Sequence, residues 1–346
     1  MRSMHGTYLR AGLLITLLSL ASSSRDRALA VCCPFPCESC NLQSMGQLNF
    51  VRFDRRAGSI TLVPNLRFRG TSPDFALVVP TPAVPTLAPV AVDFWEDASR
   101  MTSGDNPIGS NDAPLSCRQR EVTPAYAPVD DEFVTVHAIV QVGGMLATIL
   151  SSTNADTLVT WLNRHDYRVA PGDAEKFAPY IAREWFFTAM RPDSSDTSHP
   201  MPQSGWDSNV SPVEFVWSGD RFELPLEILD INRGESLPVV LYVLDEHRVE
   251  MEGFTVRYAN RLSDGELRAA QSRFPAFARQ LETGAWLTRL TRTFGRETSM
   301  NGALPLVRAE RDEEYRGAGG FFYADAWLLA ATAGGLLLAA RRRKRL

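Results

Sequence analysis

The residues of this chain best equipped for chemistry are its five cysteines, Cys32, Cys33, Cys37, Cys40 and Cys117, which all fall in the first third. Four of them form a C-C-x3-C-x2-C run. Thiolates so spaced can hold zinc or an iron–sulfur cluster in a reducing compartment, and they form disulfides in an oxidising one. Cys37 and Cys40 could also serve as a redox couple. That chemistry places the pair between a strand and a helix, whereas here it follows a lead carrying Pro34 and Pro36. An odd number of thiols leaves one free or paired between chains, and spacing does not reveal connectivity.

The other candidates are scattered. His5, His137, His165, His199 and His247 show no metal-ligand spacing, and no HExxH, GxSxG or phosphate-loop motif is present. Asp230, Asp245, Glu246 and Glu250 could supply carboxylates, but acids at strand ends are usually solvated. Asp74 reads as a turn residue after Pro73, with Phe75 filling the core. No catalytic, cofactor-binding or metal-ligating residue follows, and no cofactor is implied.

The compartment decides what the cysteines do, and the two ends of the chain bear on it. Arg2 and Arg10 precede the apolar run Ala11 to Ala21, with small residues after it, which are the parts of a secretion signal. Cleavage after Ser23 or Ala30 fits. A lipidated Cys32 is disfavoured by bulky Val31, and an uncleaved anchor by the shortness of the run. At the other end, Gly317 to Ala340 is apolar apart from Asp325. About 20 helical residues cross a hydrocarbon core, so 321–340 is just long enough. Phe321, Phe322, Tyr323 and Trp327 stand where interfacial aromatics belong, and Arg341 to Arg345 form the basic cluster kept in the cytoplasm. A cleaved sorting tail is the alternative, although no LPxTG-type motif accompanies it.

The expected organisation is a signal peptide at 1–30, an extracytoplasmic domain at 31–300, a juxtamembrane linker at 301–320, a transmembrane helix at 321–340 and a basic cytoplasmic tail at 341–346. In that oxidising location disulfides are the expected state of Cys32, Cys33, Cys37, Cys40 and Cys117, with one of the five free or paired between chains. Outside the basic ends, 27 bases face 39 acids, so the body carries about −12. That charge argues against nucleic acid as a partner.

Alternation over Gln47–Asp54, Ser59–Arg69 and Asp74–Val79 predicts an antiparallel meander, with Pro64 marking an edge or bulge. Val90–Met101 predicts a short helix. Glu132–Val142 predicts a strong strand with Val134, Val136, Ala138 and Val140 on one face and Phe133, Thr135 and His137 on the other. Gly143-Gly144 turns it into Met145–Leu150. Helices follow from about Ala155 and over Asp173–Ile181. Strands are expected at Glu184–Met190, Val213–Trp217, Phe222–Ile228, Leu237–Leu244, Thr255–Tyr258 and Ala285–Phe294, with a helix broken at Pro275 before the last. Ser103–Pro128 and Asp193–Ser211 read as polar loops. The fold class is α+β: an antiparallel β-rich extracytoplasmic domain with a few short helices.

Several stretches, in order, resemble a family of exported bacterial proteins, domain of unknown function 2330. They are the cysteine-rich start, Asp74-Phe75-Ala76-Leu77-Val78-Val79-Pro80-Thr81-Pro82, Gln141-Val142-Gly143-Gly144, and Asp156 to Asn163 leading into Tyr167. Val239 to Leu244 and Trp286 to Leu290 complete the set. The doubled Cys32-Cys33 and Leu77, where an aromatic is usual, depart from the pattern. The resemblance covers roughly 32–295. It implies an exported, often membrane-tethered domain and no particular activity. The expected role is a binding or structural module of the bacterial envelope, with an envelope protein or glycan as partner. An extracytoplasmic hydrolase or thiol-dependent enzyme is the alternative.

Overall fold

A computed structural model describes residues 28–29, 33–36, 42–70, 75–102, 133–165, 167–193 and 211–316. The expected signal peptide, the 321–340 span, both polar loops, His199 and Cys32, Cys37, Cys40 and Cys117 lie essentially outside the described residues. Among those described, no helix is long and apolar enough to cross a membrane.

Two short strands open the chain, β1 (Ala28–Leu29) and β2 (Cys33–Pro36). The strongest alternation then makes a long hairpin of β3 (Leu42–Asp54) and β4 (Ser59–Gly70). Its turn is Arg55–Gly58, where Gly58 takes φ 63° and Asp54 accepts the N–H groups of Arg56 and Ala57. Next come β5 (Phe75–Thr81), β6 (Thr86–Pro89) and helix α1 (Phe94–Thr102). Strands β7 (Val134–Val142) and β8 (Met145–Ser152) form a second hairpin. Helix α2 (Ala155–Arg164) follows, its first turn capped by the Asn154 side chain at 2.8 and 3.1 Å from two N–H groups.

Helix α3 (Ala174–Ile181) and β9 (Phe186–Pro192) come next, then β10 (Val213–Ser218) and β11 (Phe222–Pro225). The strand expected over Phe222–Ile228 stops at Pro225, and Leu226–Leu229 form the short helix α4 instead. Pro225 removes a ladder donor and is well placed to start a helix. The rest is β12 (Ser236–Asp245), β13 (Val249–Met251), β14 (Thr255–Arg261), α5 (Asp264–Arg273), α6 (Pro275–Ala278), β15 (Trp286–Gly295), β16 (Ala303–Arg308) and β17 (Tyr315–Arg316). Residues read as the start of a linker thus carry β16, which pairs with β11 and β13.

The described strands form three sheets. The large one has the order β17-β14-β15-β12-β3-β4-β10-β6, the second β2-β5-β9-β8-β7, and the small one β1-β11-β16-β13. Pairing is mostly antiparallel, as expected, but β12 runs parallel to β3 and β1 parallel to β11, so the fold is a mixed α+β architecture. The meander ends after two strands: β5 leaves β4 and joins β9 in the second sheet. Pro64 sits beyond the Ser59–Leu62 stretch of β4 that pairs with β10, where a missing N–H can be tolerated.

Side-chain alternation puts the large sheet between two cores. Val51, Leu62, Leu241 and Leu290 face the other two sheets, packing against Val79, Ile149 and Met190 of the second and Phe222 and Leu224 of the small one. Phe50, Val63, Tyr242 and Leu287 face the opposite way, under α1, α5 and α6. A third core, with Leu158, Trp161 and Phe177, lies where α2 and α3 cover the outer face of the second sheet.

Buried Asp97 of α1 joins distant segments by accepting the N–H groups of Ala276 and Phe277, at 2.9 and 3.4 Å, at the start of α6. Burial raises its pKa, only partly offset by those two donors, and Asp93 and Glu96 add to the rise. The folded state therefore binds the proton more tightly than the unfolded chain. Stability from this group falls as pH rises from the ordinary carboxylate range through the higher folded value. Asp97→Asn keeps an acceptor and loses the charge. In urea titrations at pH 4 and 7, the variant's stability relative to wild type should rise between the two. Asp97→Ala, which removes the cap, should cost about 1–2 kcal/mol at pH 7.

Candidate functional site

Strand β7 has nine residues opposite the eight of β8, and the surplus is His137. The pairing runs Val134↔Ser152, Thr135↔Ser151 and Val136↔Leu150, then resumes at Ala138↔Ile149. This β-bulge corrects the alternation read from sequence. Val134 and Val136 enter the core beneath α2 and α3. Ala138 and Val140 instead pack against the core between the sheets. One extra residue switches the strand from one core to the other.

The bulge also aims His137 across its neighbours. Its Nε2 lies 2.8 Å from Ser151 Oγ on β8, and its ring meets Phe186 of β9 edge-on, at 5.0 Å and 70°. Ser151 is the cross-strand neighbour of both Thr135 and Phe186, so His137 and Phe186 touch over it. Thr135 and His137 are exposed, and Phe133 is 51% exposed. The backbone carbonyl of Phe133 accepts from Ser152 Oγ at 3.1 Å and Thr153 N–H at 3.4 Å, which fixes where the ring begins. The result is an open face of Phe133, Thr135, His137, Ser151 and Phe186 on a hydrogen-bonded sheet.

An imidazole nitrogen in contact with a serine hydroxyl is the first requirement of nucleophilic catalysis. The second, a group orienting the base through its other nitrogen, is missing among the described residues, where His137 meets only Ser151 and Phe186. The same set serves binding directly. It offers aromatic surface beside hydroxyl and imidazole groups able to donate or accept.

The other candidates do not converge. His165 stacks on Trp161 at 3.9 Å and closes the end of α2. His247 pairs with Asp312 at 2.8 Å. Asp230 binds Lys176 and Arg233, at 3.2 and 2.9 Å. Asp245 is buried against Arg55, Glu250 pairs with Arg248 at 2.5 Å, and Glu246 is exposed. These are structural partners on separate elements. Among the described residues, no group of three or more His, Cys, Asp or Glu could hold a metal ion. Of the cysteines only Cys33 is described, its backbone in β2 opposite Val78. Ser151 escaped sequence reasoning because nothing local distinguishes it, and the His137 bulge has neither a glycine nor a proline to announce it.

A sequence model for an uncharacterized protein family conserved in bacteria, domain of unknown function 2330, matches residues 28–306. The chain belongs to this family. Its DUF2330 region opens at β1 and closes within β16, so the family match includes the open face and every described strand except β17 and the end of β16. No curated protein and no solved structure matches the chain.

Proposed function

We propose that this DUF2330 protein is an exported, membrane-tethered component of the bacterial envelope that binds a partner through the open end of its second sheet. The observation that carries the binding role is the exposed Phe133 on the same strand as His137, whose imidazole a bulge has turned onto Ser151 and Phe186. The apolar, basic-flanked ends of the chain support the address.

Photo-cross-linking in cells tests the binding role. A photoreactive phenylalanine analogue at Thr135 should give a discrete adduct, and the same analogue at exposed Arg268 on α5 should not. No adduct at Thr135, or equal adducts at both, would overturn it. The address is tested by protease treatment of spheroplasts and mass spectrometry of the C-terminus. Protection of residues 28–316 from outside protease contradicts it, and an intact Leu346 end excludes a cleaved tail.

The 2.8 Å contact between Nε2 and Oγ favours a second reading, an extracytoplasmic hydrolase. A fluorophosphonate probe should then label Ser151 in wild type and not in His137→Ala. An unlabelled Ser151 eliminates it.

A further inference from the structure

The chemistry of the same open face narrows its ligand, on the premise that this face is the binding site. We infer that it takes a neutral sugar unit of an extracytoplasmic polysaccharide.

Three observations lead there. The first concerns the backbone. The outer strand β7 is interrupted at His137, where the ladder slips by one residue. A bulge twists an edge and breaks its regular row of donors and acceptors, which opposes addition of an extended peptide strand. The second is charge. None of the described residues Phe133, Thr135, His137, Ser151 and Phe186 is a carboxylate, guanidinium or ammonium group, so these five offer no fixed counter-charge to an anionic or a cationic ligand. The body around it carries about −12, which repels anionic polymers further.

The third is the pairing of aromatic surface with neutral polar groups. The half-exposed Phe133 offers aromatic surface, and Ser151 and Thr135 carry hydroxyls. His137 is fixed through Nε2, and its Nδ1 has no partner among the described residues. A ligand matching this set has a neutral C–H surface on one side and several hydroxyl or amide groups around its rim. A pyranose ring has that shape and chemistry. The face is small, so one or two rings would be engaged and the affinity modest.

The experiment is calorimetric titration of the full chain in nanodiscs with three probes: neutral tetra-N-acetylchitotetraose, an anionic heparin tetrasaccharide, and an extended valine–threonine octapeptide. The neutral oligosaccharide should bind. Its affinity should fall at least about tenfold in Phe133→Ala and in His137→Ala, with Arg268→Ala unchanged. Both sensitive residues are exposed, so circular dichroism should show the variants folded.

Binding of the heparin fragment or the peptide instead, lost in the same variants, overturns the sugar assignment and upholds the face as a binding site. No binding of the neutral probe overturns the assignment, and the Thr135 cross-link then separates a wrong ligand class from a wrong site. Neutral binding that ignores both variants overturns the placement.

Discussion

Replacing Phe277 by alanine is expected to cost about 3–5 kcal/mol, lowering the melting temperature by roughly 10 °C. The ring is fully buried under the large sheet. It meets Phe50 at 5.5 Å, Phe94 at 5.3 Å and Tyr242 at 6.2 Å, all near edge-to-face. Aromatic pairs in this geometry add to the burial of their area. The three partners come from β3, α1 and β12, so alanine would leave a void that several separate elements would all have to move to fill. A loss below 1 kcal/mol in urea titration would show that this core collapses readily and that Phe277 is not its centre. Phe133→Ala, on the exposed face, should change stability by less than about 0.5 kcal/mol. The contrast separates a packing residue from a binding one.

Arg55→Met is expected to cost about 2–3 kcal/mol at pH 7. Arg55 sits in the β3–β4 turn and grips the Asp245 carboxylate with two nitrogens, Nε at 2.8 Å and Nη2 at 2.5 Å. Its Nη1 donates to the Asp220 carbonyl at 2.6 Å, and its guanidinium lies over Phe53 at 4.2 Å. The hydrogen bond to Asp245 raises the Arg55 pKa despite partial burial, so the guanidinium keeps its charge throughout the physiological range. Methionine keeps the apolar stem and abandons a buried carboxylate. The figure lies below the roughly 3–5 kcal/mol usual for a fully buried pair because the Arg55 side chain is 34% exposed. Asp245→Asn in the Arg55→Met background should recover part of the loss. Additive costs in the double-mutant cycle would mean that the two side chains do not act as a pair.

Glu266 runs opposite to Asp97 in pH dependence. Burial alone would raise its pKa, but Ser263, Asn260 and Arg316 together outweigh that and hold it below the ordinary value. Its contribution is present at neutral pH and is lost as pH falls through the folded value. Acid therefore loosens the capping box of α5 while it relieves Asp97. The two groups partly offset each other in a single pH–stability curve, which is why the Asp97 variants are compared with wild type at each pH.

Local signals in the sequence determined most of the elements. Alternation in β3, β4, β12 and β15, the Asn154 cap of α2 and the proline break between α5 and α6 depend on side-chain period and turn chemistry within a few residues. The family likeness was legible too, since it rests on several short stretches in order. The N-terminal and C-terminal readings come from composition alone, on segments that lie essentially outside the described residues.

Tertiary structure decided how those elements are shared out. That β5 abandons the β3–β4 hairpin, that β12 runs parallel to β3, and that residues 303–308 return as β16 are all settled by which faces can be buried against each other. The open face was decided the same way. Nothing near His137 announces a bulge, because the surplus exists only relative to the eight residues of β8. The sequence therefore presented His137 as a lone histidine and Ser151 as an ordinary serine. Their 2.8 Å contact is a property of strand register, and register is a long-range quantity that no local pattern contains.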